Sequence, residues 1–334
     1  MYVTPWMLGF EGWYGKDGYS DILFFVPFHQ FFLLGPVIYF YSRSVLVPDR
    51  LFRKNELLHF IPAVLYLIYS LYVFVMDFFV YDEYVFYADG RDKDLDPWYQ
   101  ILGLAFVLGY LLWSIRFYLN YRKQIVQVVS FADTLRFLWI RRFLVSLLLL
   151  VGLRLLFFVL YPEWGSFVQK WWYYFFVACI FYYVAMEGML HAVKLHASLQ
   201  FSDFRLSIPE DLEETSKIEI QDLDKWKDSI QSFLETERVH TNPNLTLDDL
   251  AKSLETTPRQ ISQVVNQGFD MNFNDYINKM RVDSIISLFK ENKQQQFTLL
   301  SLALDCGFNS KTTFNRSFKK FTGKTPRDYL NSFE

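Results

Sequence analysis

Between residues 22 and 192 the chain passes through five apolar stretches separated by short charged connectors: Ile22–Tyr41, Leu57–Met76, Trp98–Ile115, Phe143–Leu160 and Trp171–Ala192. A helix needs about 20 apolar residues to cross a bilayer core, and each stretch is close to that length. The alternative is a buried helical bundle, but water-soluble cores rarely need five such runs separated by short charged loops. Trp98, Trp139, Trp171 and Trp172 stand at stretch ends, where amphipathic rings prefer the headgroup level. The pattern predicts a polytopic transmembrane helix bundle over residues 1–193, surrounded by membrane lipid. The opening "MYVTPWMLGFEGWYG" has no basic leader before an apolar core, so it does not read as a secretory signal.

The connectors orient the bundle. Arg43, Arg50, Arg53 and Lys54 follow the first stretch, and Arg116, Arg122, Lys123, Arg136, Arg141 and Arg142 follow the third. The second connector has only Arg91 and Lys93 among many acids, and the fourth only Lys170. Basic residues mark the cytoplasmic side. The amino terminus is therefore expected outside and the carboxyl terminus inside. Gly35-Pro36 and Pro62 are expected to bend their helices.

Arg154 and Glu187 lie within stretches. A charge at the bilayer centre costs about 2.5–3.5 kcal/mol on insertion scales, so such residues usually face protein or water. They mark a candidate intramembrane signal site; the alternative is that each merely snorkels to a nearby surface. The two cysteines, Cys179 and Cys306, exclude a disulfide framework and suit a reducing compartment.

Beyond Lys194 the composition changes. Residues 194–221, with acidic clusters and Pro209, read as a linker. The net charge of −3 hides an asymmetry, since Asp203–Arg238 holds eleven acids against five bases and Thr298–Glu334 six bases against three acids. Nucleic acid responds to a local basic face, so the average does not exclude it. Leu223, Trp226, Ile230, Phe233 and Leu234 recur at helical spacing. Thr246 with Asp249 opens a helix, Leu247–Leu254. In "TPRQ", Thr257 caps the next helix, Pro258 takes its first position and Gln260 completes a capping box. Small Ala251 faces the crossing of this pair.

A long helix is expected over Phe273–Lys290, and then the layout repeats. Leu299–Asp305 carries Ala303 at the crossing, Gly307 lies in the turn, and Ser310 caps Lys311–Phe321. Gly323 ends that helix and "TPRD" starts a last one. Helix, tight turn and helix is the layout in which the second helix enters the major groove.

Two such units joined by a long helix, with Ala303, Gly307-Phe308, Phe314, Phe318-Lys319, Gly323 and Thr325-Pro326 in this order, resemble the DNA-binding domain of AraC/XylS-type transcriptional regulators. "LTLDDLA" and "NFNDYINKMRV" fit the first unit and connecting helix of that family. The resemblance covers residues 222–334. It departs at Glu255, where the first turn often has glycine. "FFLLGPVIYFYSRSVL" before a basic loop is similar to the membrane module of relatives in which several spans precede this domain, often about seven. One or two further helices are therefore expected ahead of Met1.

The resemblance implies sequence-specific binding of double-stranded DNA. Arg259, Gln260, Gln263 and Asn266 would read bases in the first unit, and Ser310, Lys311, Thr312, Asn315 and Arg316 in the second. Arginine suits guanine and Asn or Gln suits adenine; Lys319 and Lys320 are assigned to phosphates, which position without specifying. A homodimer, held by the membrane half in a bacterial cytoplasmic (inner) membrane, completes the expectation. No cofactor, metal ligand set or catalytic group is read. The rival class is a transporter or enzyme with a fused autoregulatory domain. It offers only Arg154, Glu187, His29 and His59, without metal-ligand or nucleophile–base spacing.

Overall fold

The structure, a computed structural model, describes residues 30–47, 52–81, 83, 85–86, 88, 93–133, 138–160, 171–198, 222–291 and 297–331. His29, Arg50, Arg91, Arg136, Lys170, the first half of the first predicted span and most of the acidic linker lie outside the described residues. The described residues are helical, with one isolated β-bridge, between Val129 and Thr246. The chain divides into two units, Met1–Tyr118 with Leu138–Leu206, and Leu119–Phe137 with Ser207–Glu334.

The first unit contains α1 (Phe31–Leu46), α2 (Ile61–Val75), most of α3 (Pro97–Val128), α4 (Leu138–Leu160) and α5 (Trp171–Ser198). A 3₁₀ turn, Lys54–Phe60, runs into α2, and a π turn, Met76–Val80, extends it. Among the described residues, three helical runs, Lys54–Val80, Pro97–Val128 and Trp172–Leu190, are long and apolar enough to cross a membrane. At 16 residues, α1 is shorter, and α4 is an apolar helix of 23 residues.

Glycines let α1 lie against α3. A β-carbon on Gly103 would stand 2.6 Å from Phe31 Cβ, and one on Gly35 would stand 2.9 Å from the Tyr110 ring. Small residues at such crossings let backbones approach. Pro36 lies inside α1, as expected. Pro62 lies in the first turn of α2, where the 3₁₀ turn Lys54–Phe60 passes into the α-helix.

Helix α3 overruns its predicted end at Ile115 by more than three turns. No proline or glycine interrupts residues 116–128, and Tyr118, Tyr121, Ile125 and Val128 repeat at helical spacing and are buried. The sequence places Arg116, Arg122 and Lys123 in a loop; they lie on this helix.

In the second unit, α6 (Leu223–Thr236), α7 (Leu247–Ser253), α8 (Pro258–Gly268) and the start of α9 (Phe273–Lys290) enclose one core, with Ile230, Leu250, Ile261, Val264, Val265 and Ile277 at its centre. The end of α9 joins α10 (Leu299–Asp305), α11 (Lys311–Thr322) and α12 (Pro326–Asn331) around another, built on Ile285, Leu302, Phe308, Phe314 and Phe318. One helix therefore belongs to both cores. Burying a side chain of this size stabilises by about 1.5–3 kcal/mol, so α9 holds the two halves at a fixed spacing.

Candidate nucleic-acid interface

Each helix pair turns in the same way. After α7, Glu255 N–H donates to Lys252 O at 3.2 Å and Thr256 N–H to Ala251 O at 2.9 Å. After α10, Gly307 N–H donates to Leu304 O at 2.9 Å and Phe308 N–H to Ala303 O at 3.0 Å. Both are Schellman closures, which need a left-handed residue at the first position past the helix. Gly307 supplies it with φ +95 and Glu255 with φ +52. Glutamate therefore closes its turn with the same pair of hydrogen bonds. Ala251 and Ala303 are buried at the crossings.

The helix starts follow local chemistry. Thr246 and Asp249 form a complete capping box, and Thr257, Asn272, Thr298 and Ser310 each accept from the backbone N–H three residues on. One detail differs. The Gln260 side chain accepts from Thr256 Oγ1 at 2.8 Å, so the capping box expected at α8 is replaced by a bond to the preceding turn.

On α11 the two faces separate cleanly. Thr313, Phe314, Ser317 and Phe318 are buried, whereas Lys311, Thr312, Asn315, Arg316, Lys319 and Lys320 are exposed. Lys311, Asn315, Arg316, Lys319 and Arg327 line an open groove of about 960 Å³ between α10, α11 and α12. Ser310 uses its hydroxyl on Thr313, accepting from N–H at 3.2 Å and donating to Oγ1 at 3.0 Å, which favours capping over base reading. On α8, Arg259, Gln260, Gln263 and Asn266 are half-buried, and Asn266 donates to Ser262 Oγ at 3.4 Å.

Two basic residues of α11 already have acidic partners. Lys320 pairs with Asp275 of α9 at 2.6 Å, which ties α11 to the connecting helix. Arg316 pairs with Asp133, in the turn after α3.

That turn is held by buried polar groups. Ser130 N–H donates to Leu245 O at 3.1 Å, and Asn274 donates to Val129 O at 3.3 Å. Arg281, 1% exposed, donates through Nε to His240 O at 2.8 Å and through Nη2 to Asn242 O at 2.7 Å and Ser130 Oγ at 3.0 Å. Burial pushes its guanidinium down to about 9, so it remains charged at neutral pH. His240 bridges Leu234 O at 2.9 Å and Ser284 Oγ at 3.0 Å, and burial holds its pKa below the usual histidine value.

The two ionisable residues of the first unit differ in kind. Arg154 is 3% exposed; it donates to Gln100 Oε1 at 2.8 Å and lies 5.7 Å from the Tyr173 ring. Gln100 donates in turn to Asp94 O, and Tyr66 donates to the Asp94 carboxylate. Glu187 pairs with Arg142, a half-exposed residue, at 2.6 Å. The two residues do not converge on one site.

Residues 250–332 match a family described as a helix-turn-helix domain. Residues 250–332 form a helix-turn-helix domain. Outside it, the same unit adds α6 and the turn after α3. The chain is similar to "HTH-type transcriptional regulator CdhR" of Pseudomonas aeruginosa, 30% identical over 97 residues, covering 29% of this chain and 28% of that protein. It is also similar to "Melibiose operon regulatory protein" of Escherichia coli K12, 25% identical over 85 residues, covering 25% and 27%. The chain thus spans under a third of the length of these curated relatives. No solved structure matches it.

The sequence assigns no separate role to Asp133 or, within "NFNDYINKMRV", to Asp275 and Arg281. Asp275 carries a signal, as the third residue of a capped helix. Asp133 carries none, because its partner lies 183 positions away.

Proposed function

We propose that the chain is a membrane-bound, sequence-specific DNA-binding transcription regulator of the AraC type. The observation that carries this reading is the exposed face of α11, where Lys311, Asn315, Arg316 and Lys319 line an open groove. That face belongs to the second helix of a helix-turn-helix pair, the element that enters the major groove. The names of the relatives point the same way.

Membrane attachment is supported by what the first unit leaves uncovered. In Lys54–Val80 only 22% of the most apolar window is buried, and Val64, Leu65, Ile68 and Leu71 are at least half exposed. An apolar surface of this extent is unfavourable in water; in lipid it is the expected outside. The turn after α3 belongs to the same unit as the helix-turn-helix domain, which supports a cytoplasmic side for both. Five spans, an outside amino terminus and a homodimer held by the membrane half complete the proposal.

The signal site, on this reading, is the Arg154–Gln100–Asp94–Tyr66 network. It links α2, α3 and α4 through buried polar groups, where a small ligand or a change in the bilayer would favour one arrangement over another. Glu187, tied to Arg142, is a structural pair at a helix end. His59 shares a hydrogen bond of 2.6 Å with Tyr110. These separate partnerships give a transporter or enzyme no shared centre.

The test is recovery of DNA crosslinked to the tagged full chain in cells. A regulator enriches a few discrete segments sharing a motif, and Arg316→Ala reduces that enrichment. Uniform recovery along the chromosome, unchanged in the variant, would contradict sequence reading.

A further inference from the structure

The turn after α3 is docked as an extended peptide would be. Val129 forms an antiparallel bridge with Thr246, and Ser130 N–H donates to Leu245 O. On the other side Asn274, Asn278 and Arg281 stand one above another on α9, all almost fully buried. Asn274 reaches Val129 O, Asn278 reaches Ser130 O at 3.5 Å, and Arg281 reaches both Ser130 O at 3.4 Å and Ser130 Oγ at 3.0 Å. Buried donors are costly to leave unmet, so this face of α9 is built to receive a backbone segment. Val129, Ser130 and Ala132 are themselves fully buried. Asp133 follows directly and pairs with Arg316, while Val128 ends a helix that begins at Pro97 without interruption.

We propose that Val129–Asp133 is a latch, whose docking surface is the face of α9 with the Asn242–Thr246 segment, and which holds Arg316 away from DNA. The inference rests on the DNA-reading role of α11. The pair engages Arg316 Nη2, one arm of the fork that bidentate donation to a guanine edge needs, and the Asp133 charge also repels phosphate. DNA and Asp133 therefore compete for one side chain. The latched and DNA-bound states differ in a specific contact, as coupling between two sites requires. Because α3 runs unbroken into the latch, a shift of that helix is the step that would withdraw it.

The experiment uses the full chain in lipid nanodiscs and duplexes selected from a random pool by the Asp133→Asn chain. Asp133→Asn should bind the selected duplex about tenfold more tightly than the parent, within the usual range of allosteric coupling. Amide exchange supplies a second reading: the Ser130 N–H should be protected in the parent and lose protection when the duplex is added. Equal affinity of parent and Asp133→Asn overturns the proposal, and so does undiminished Ser130 protection in the DNA complex. If no chain, Asp133→Asn included, selects any duplex, the DNA-reading role itself fails and the latch falls with it. If the duplex binds but parent and variant do so alike, the latch alone is wrong.

Discussion

A β-carbon on Gly307 would lie 2.7 Å from the backbone oxygen of Thr241. Because of this contact, the turn of the second helix pair is seated on the segment that precedes the first. Gly307→Ala should cost roughly 2–4 kcal/mol, combining a left-handed alanine with an overpacked contact against backbone that cannot swing away. Gly323 is also left-handed but has open space around it, so Gly323→Ala should cost about 1 kcal/mol. Pulse proteolysis of the domain in urea would rank the two. Equal losses would mean that the contact with Thr241 is unimportant.

Glu255 occupies the position that Gly307 fills in the second turn, with φ +52. Glu255→Gly should therefore stabilise by about 0.5–1 kcal/mol, the relief of a left-handed side chain less the added freedom of the unfolded glycine. The same urea titration checks it. A destabilised variant would mean that the glutamate side chain makes up for its backbone.

His240 gives the domain a pH dependence. Burial depresses its folded pKa below the ordinary value of about 6.5, so the unfolded chain takes up the proton first as pH falls. Its contribution is complete above about pH 6.5 and is lost progressively below it. Unfolding midpoints at pH 7 and pH 5 should therefore differ more in the parent than in His240→Asn. An unchanged difference would remove His240 from the cause.

Arg154 and Gln100 form a buried pair on adjacent helices. Arg154→Leu leaves Gln100 without that donor, and the loss should be roughly 1–3 kcal/mol. At matched protein levels the variant should also fix promoter output, always on or always off. A variant that responds like the parent would limit Arg154 to a structural role.

The sequence announces the helix-turn-helix domain because its signals are local. Thr246, Thr257, Asn272, Thr298 and Ser310 cap their helices within three residues, and Gly323 stops α11 by its own geometry. Glu255 was legible only as a departure, since a left-handed φ leaves no mark on a residue's identity. The latch was illegible for a different reason. Asn274, Asn278 and Arg281 read as ordinary polar positions until the segment across from them, some 145 to 151 positions earlier, is in place. The extension of α3 was visible in Tyr118, Tyr121, Ile125 and Val128, but the basic residues between them marked a connector more strongly.

The two lysines assigned to phosphates differ in their surroundings. Lys320 is committed to Asp275, whereas Lys319 lines the groove. Lys319→Ala should flatten the dependence of log affinity on log salt by about one unit, and Lys320→Ala should change it much less. Slopes measured on one duplex at several salt concentrations decide between them. A larger change from Lys320 would show that DNA displaces Asp275.

The most direct measurement is base preference at each position of the selected duplex, read in the Asp133→Asn background so that the ion pair does not enter. If α11 reads DNA through Arg316, Arg316→Ala loses about 1–3 kcal/mol on the selected duplex and relaxes preference at one base pair only. A uniform loss across all sequences, with every preference intact, would contradict it.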